Sequence, residues 1–116
     1  MNRLPILAAA LFAACAHAQG AKPAANIDVK TSLEPKKVHE ECATLQAGET
    51  RKYQWKADVA VDFNIHYHKG KDVFYPVKRD MSRGHNGTFK AKTADDYCWM
   101  WTARDVPATI EGKISK

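Results

Sequence analysis

His66 and His68 stand two residues apart, the spacing best suited to chemistry in this 116-residue chain. On an extended strand, residues i and i+2 share one face about 6–7 Å apart, so two neutral imidazoles could hold one copper or zinc ion if a third ligand joined them. A hairpin loop over 69–72 sets His66 opposite Tyr75 and His68 opposite Val73, and neither partner is a good ligand. His85 and Asp62 would reach the pair only through loop folding. The plainer reading is two partly exposed histidines on the polar face of a strand.

Other chemistries find less support. Cys98 followed by Met100 suggests a thiolate and a thioether, but a blue-copper site also needs a histidine soon after the cysteine, and none follows. Beyond the N-terminal apolar run the serines are Ser32, Ser82 and Ser115, with no G-x-S-x-G elbow. Asp80, Ser82 and His85 are triad residue types, yet triads assemble across space and proximity in sequence is no guide. The adjacent acids Glu40-Glu41 and Asp95-Asp96 face opposite sides of a strand and read as turn or surface residues. A small hydrolase would need a cleft holding a perturbed acid or histidine. No catalytic residue is assigned and no cofactor is expected, copper or zinc on His66 and His68 being the alternative.

The N-terminus has the three parts of a secretory signal. Arg3 supplies the positive region, Leu4 to Ala14 the apolar one, and Ala16-His17-Ala18 the small residues for cleavage before Gln19. An apolar run this short does not span a bilayer, which takes about 20 residues. The signal fits bacterial Sec export to the periplasm or the medium. Phe12-Ala13-Ala14-Cys15 also resembles a lipobox, in which case Cys15 carries a lipid anchor. Either way Cys42 and Cys98 remain as a single pair, and an oxidising compartment joins them. The chain-entropy model values a bridge closing a loop of this length at roughly 4 kcal/mol. The formal net charge is +5, and about +4 without Arg3. The lysines (Lys22, Lys30, Lys56, Lys69, Lys90 and Lys113 among them) are scattered, so nucleic acid is not expected as a partner.

The elements that must carry these residues are short strands. Residues 19–35 read as a flexible leader rich in Ala and Pro, with Ile27-Asp28-Val29 able to add a short edge strand. Strands are predicted at 38–45, 50–57, 61–68, 73–77, 88–92, 97–102 and 108–114, with a long Gly/Asn loop over 79–87. Seven to eight strands punctuated this way indicate an all-β chain, an antiparallel sandwich closed by one disulfide, occupying 36–116. Pro76 belongs on an edge strand. Alternation turns Phe63, Ile65 and Tyr67 inward and Asp62, Asn64, His66 and His68 outward. The strand 97–101 is apolar on both faces and reads as central. Its aromatics have two uses: a sandwich core, or an open patch in which Trp99 and Trp101, with Tyr75, meet a partner or an acyl chain.

The order Glu41-Cys42, Gly48-Glu49, Tyr53, Asp62-Phe63-Asn64-Ile65, Gly70, Phe89 and Tyr97-Cys98-Trp99-Met100-Trp101-Thr102 resembles the GOLD (Golgi dynamics) β-sandwich of secretory-pathway cargo receptors and some lipid carriers. The resemblance spans about 38–115. It implies a sandwich used for protein or lipid contact, with no family active site to transfer. The family's second cysteine falls two positions further along, where this chain has Met100, and the Asn that often follows the aromatic strand is Ala103 here. The receptors' membrane and coiled-coil parts have no counterpart, so cargo sorting does not carry over. The expectation is an exported, non-catalytic binding module for a protein or lipid partner.

Overall fold

A computed structural model describes residues 26–116. Among the described residues six antiparallel strands follow one another without a helix: β1 Asn26–Leu33, β2 Val38–Leu45, β3 Thr50–Lys69, β4 Asp72–Lys90, β5 Asp95–Ala103 and β6 Ala108–Ser115. The count is six because two predicted pairs merge and the optional edge strand around 27–29 forms. Strands 50–57 and 61–68 are one 20-residue β3, and 73–77 joins 88–92 through the predicted loop, giving the 19-residue β4.

Both long strands pass from one sheet of the sandwich to the other. Along one edge β3 pairs first with β6, from Lys52 to Ala57, and then with β5, from Val61 to His66. Along its other edge it pairs with β4 throughout. The hydrogen bonding is continuous, so a single six-stranded sheet curls on itself: one layer runs β1-β6-β3-β4 and the other β2-β5-β3-β4, with β3 and β4 bending together at the corner. The bend falls where the β3–β4 register shifts between Lys56 and Val61. Asp58 fixes it by accepting the Thr109 backbone N–H at 2.8 Å.

The 79–87 segment stays in the ladder because its glycines serve close approach, not a turn. A Cβ at Gly84 would lie 3.0 Å from the Trp55 carbonyl oxygen, and one at Gly87 2.9 Å from the Tyr53 hydroxyl. A bulge at Met81, with φ of 51°, absorbs the extra residues, and its backbone N–H donates to Asp62 Oδ1 at 2.9 Å. Arg104 closes the same carboxylate with contacts of 2.8 and 3.0 Å. Pro76 lies in β4, an edge strand, at a second bulge opposite His66.

The leader boundary also moves. Residues 26–33 form a full strand paired with β6, because Val29 and Leu33 alternate inward and are buried. Residues 19–25 of the predicted leader, the signal over 1–18 and Cys15 lie outside the described residues.

Alternation builds the core as expected: Val61, Phe63 and Ile65 from β3, Tyr97, Trp99 and Trp101 from β5, and Ile110 and Ile114 from β6 are all at most 2% exposed. The sequence leaves two uses open for Trp99 and Trp101, and the core takes both. The indole N–H groups of Trp55, Trp99 and Trp101 lack hydrogen-bond partners among the described residues. The rings instead make edge-to-face contacts, Trp55 with Trp101 and Trp99 with Phe89.

Candidate functional site

Cys42 and Cys98 face each other across the β2–β5 ladder and are joined, so the bond links neighbouring strands of one sheet and does not tie the two sheets together. The register extends this row to His66 on β3. The next row is Glu40, Met100 and Asn64. All six side chains stand on the outer face, and Glu40 reaches diagonally over β5 to place Oε1 3.0 Å from His66 Nε2.

His66 is consequently buried, at 5% exposure, which corrects the expectation of a partly exposed histidine. His68 is exposed. His66 Nδ1 lies 2.7 Å from Asn64 Oδ1, so both ring nitrogens are engaged. A neutral ring satisfies both contacts by donating Nε2–H to Glu40 and accepting from the Asn64 amide turned over. Burial holds this imidazole below the ordinary histidine range; Glu40 opposes that shift and His68 adds to it. The His68 ring stands edge-on to it, centroids 5.3 Å apart, and the Tyr75 ring lies 5.9 Å away. His68 pairs with Val73, as the hairpin register requires.

The other polar candidates disperse. His85 lies on β4, its Nδ1 3.1 Å from the Tyr53 hydroxyl, and Ser82 donates to the Gly84 carbonyl, so no triad forms with Asp80. Asp62 is engaged by Arg104 and Met81, away from the histidines. Glu41 faces inward beside His39, 3.1 Å away, whereas Glu40 faces outward. Burial, then Arg79, lowers the His85 pKa. Because the unfolded chain binds that proton more readily, stability is complete above about pH 6.5 and falls as the pH drops below it. Glu49 and Asp105, both lowered, keep their charge down to the carboxylate range. Between pH 7.5 and 5 the melting temperature is thus expected to drop in the wild type and to drop less in His85→Gln. Equal drops in the two proteins would remove His85 from the account.

A second feature escapes the sequence. Tyr67, Phe74, Tyr75, Pro76, Phe89 and Tyr97, with Lys90 and Lys92, line an open groove of about 470 Å³. Phe74 stacks on Tyr67 with centroids 5.2 Å apart, while Tyr97 and Phe89 are buried beneath. Phe74 and Tyr75 are 45% and 50% exposed, and Val73 beside them is exposed too. Of the aromatics expected at a contact surface only Tyr75 faces outward; Trp99 and Trp101 are core. The available signal is the aromatic pair Phe74-Tyr75, which puts a large ring on each face of an edge strand.

Fold and surface together define a small antiparallel sandwich with an open aromatic groove. No protein-family model and no curated protein matches the chain. Solved structures do. The Yersinia pseudotuberculosis-derived mitogen superposes with a TM-score of 0.58 at 5% identity, covering 78% of this chain and 84% of its own. The pre-peptidase C-terminal domain of Bacillus anthracis collagenase gives 0.56 at 12% identity, covering 78% and 87%. Aeromonas hydrophila PliG, a periplasmic inhibitor of g-type lysozyme, gives 0.50 at 14% identity, covering 78% and 86%. At these identities the likeness is one of fold. Among the described residues no helix is long and apolar enough to cross a membrane.

Proposed function

We propose that the chain is an exported, non-catalytic binding module that takes a protein partner in the groove beside the β3–β4 hairpin. The observation that carries this reading is the exposure of Phe74, stacked on Tyr67 over a ready-made aromatic floor, with Tyr75 exposed beside it at the groove edge. A folded domain rarely leaves such rings to solvent without use, and aromatic anchors set in a pocket dominate protein interfaces. Lys90 and Lys92 on the rim favour an apolar anchor with acidic neighbours, since complementary charge steers the encounter. The GOLD-like motif order supports the same use of a sandwich. So does PliG, a periplasmic protein of related fold that inhibits an enzyme. The signal-like N-terminus and the disulfide support export.

The test uses wild type and a Phe74→Ser/Tyr75→Ser double variant as baits in an extract of exported proteins, with the captured protein then purified and titrated. One protein enriched on the wild type, binding it at least about tenfold more tightly than the variant, is the expected result. Equal binding to both baits would refute the groove. Binding of anionic lipid vesicles in place of any protein would make the partner a lipid.

A second reading is copper or zinc held by His66 and His68, whose rings lie 5.3 Å apart between centroids, with Glu40 Oε1 3.0 Å from His66 Nε2. It predicts metal binding by the oxidised protein that disappears in a His66→Ala/His68→Ala variant.

A further inference from the structure

The disulfide sits among metal-ligating atoms. The sulfurs of Cys42 and Cys98 and a carboxylate oxygen of Glu40 all lie within 4.8 Å of one another. His66 is next to Cys98 in the β3–β5 ladder, and its Nε2 is already 3.0 Å from Glu40 Oε1. We propose that reduction of the Cys42–Cys98 bond converts this patch into a zinc site, with both thiolates, Glu40 and His66 as the four ligands.

Ligand chemistry and spacing agree with that assignment. Zinc takes sulfur at about 2.3 Å and imidazole nitrogen or carboxylate oxygen at about 2.0–2.2 Å in a tetrahedron. Those bonds separate two sulfurs by about 3.8 Å and a nitrogen–oxygen pair by about 3.4 Å. Two opposed cysteines on neighbouring strands meet the first spacing once the bond opens, and the Glu40–His66 contact is within a few tenths of an ångström of the second. The Glu40 side chain crosses over β5 and links the two sets: a carboxylate oxygen lies within 4.8 Å of both sulfurs, and Oε1 lies 3.0 Å from His66 Nε2, so the imidazole has only to close on the sulfurs once the bond opens. The sulfurs are occupied by each other while oxidised, so the four-ligand site exists only in the dithiol form.

The fold tolerates the step. Opening the bond leaves the β2–β5 ladder from Val38 to Leu45, and Ala43 and Leu45 remain buried on its inner face. Cys42 is exposed, which gives a reductant access. A thiolate of a dithiol donor attacks a sulfur of the bond and forms a mixed disulfide. Its second thiol then completes the exchange and leaves as the donor's own disulfide. Two electrons and two protons pass to Cys42 and Cys98. Zinc then takes the two thiolates and releases both protons to solvent.

Zinc affinity is measured by chelator competition on the oxidised protein and on protein reduced with a phosphine and freed of it anaerobically. Cobalt serves as a spectroscopic stand-in, and circular dichroism reports the fold. The reduced protein is expected to bind one zinc more than about 100-fold more tightly than the oxidised, and with cobalt to show thiolate charge-transfer absorption. Cys42→Ser/Cys98→Ser should return the affinity to the oxidised level. Glu40→Gln and His66→Gln should each lower it by about tenfold or more. Equal binding by the two redox forms would overturn the proposal and return the site to His66 and His68. So would tight binding that survives Cys42→Ser/Cys98→Ser, indifference to both Glu40→Gln and His66→Gln, or a reduced protein that unfolds and is not restored by zinc.

Discussion

Gly112→Val is expected to destabilise the protein by about 3 kcal/mol or more, the upper end of overpacking costs. Gly112 pairs with Trp55 in the β3–β6 ladder. A Cβ there would lie 2.6 Å from the Gln54 carbonyl oxygen, 2.7 Å from Trp55 Cβ and 3.0 Å from Trp55 Cα. Two of these atoms are backbone and the third is the root of a side chain, so none can turn aside as a side-chain tip would. The strands must separate, and β6 carries β1 with it because it lies between β1 and β3. Urea unfolding should show a much lower midpoint, and Gly112→Ala an intermediate one. A valine variant as stable as wild type would mean that β6 does not pack against β3 in this register.

The second large effect is expected at Phe63. Its ring is fully buried and meets four others: Tyr53 at 5.8 Å, Trp55 at 5.1 Å, Trp101 at 5.3 Å and His85 at 6.2 Å between centroids. Tyr53, Trp55 and His85 belong to one sheet, Phe63 and Trp101 to the other, so this residue joins the halves. Truncation to alanine removes the buried ring and leaves a cavity between rigid neighbours, typically about 3–5 kcal/mol. For a small domain with a usual net stability of about 5–15 kcal/mol, that approaches unfolding at ambient temperature. Phe63→Leu, which keeps most of the volume, should lose less than half as much. A loss below about 1 kcal/mol in Phe63→Ala would show that the sheets are held elsewhere.

Much of this architecture is legible in the sequence because period-2 alternation is local. Phe63 and Ile65 inward, a central aromatic β5, Pro76 on an edge strand, and a Cys42–Cys98 bridge all follow from residue type and parity. Glycine misleads where its role is tertiary. Gly84 and Gly87 resemble turn residues, but they give room to Trp55 and Tyr53 across the ladder. Composition shortens β1: Ile27-Asp28-Val29 is legible as an edge strand, but the Ala- and Pro-rich approach masks its continuation to the inward Leu33.

The candidate sites are harder to see because both are made across strands. Alternation places Asn64 and His66 correctly on the outer face. Nothing local indicates that Glu40, 26 positions earlier than His66 in the chain, crosses β5 to cover that ring. The groove draws on β3, β4, β5 and the segment after β4, and only folding brings Phe74 beside Phe89 and Tyr97.

The most direct measurement of the binding claim works with no partner identified. A displayed random-peptide library is selected on the immobilised oxidised protein, and the enriched peptides are titrated against wild type and Phe74→Ser/Tyr75→Ser. Peptides carrying an aromatic or aliphatic anchor next to Asp or Glu are expected, with affinity lost in the double variant. Peptides without a common anchor, or peptides that bind the variant equally well, would contradict the binding claim.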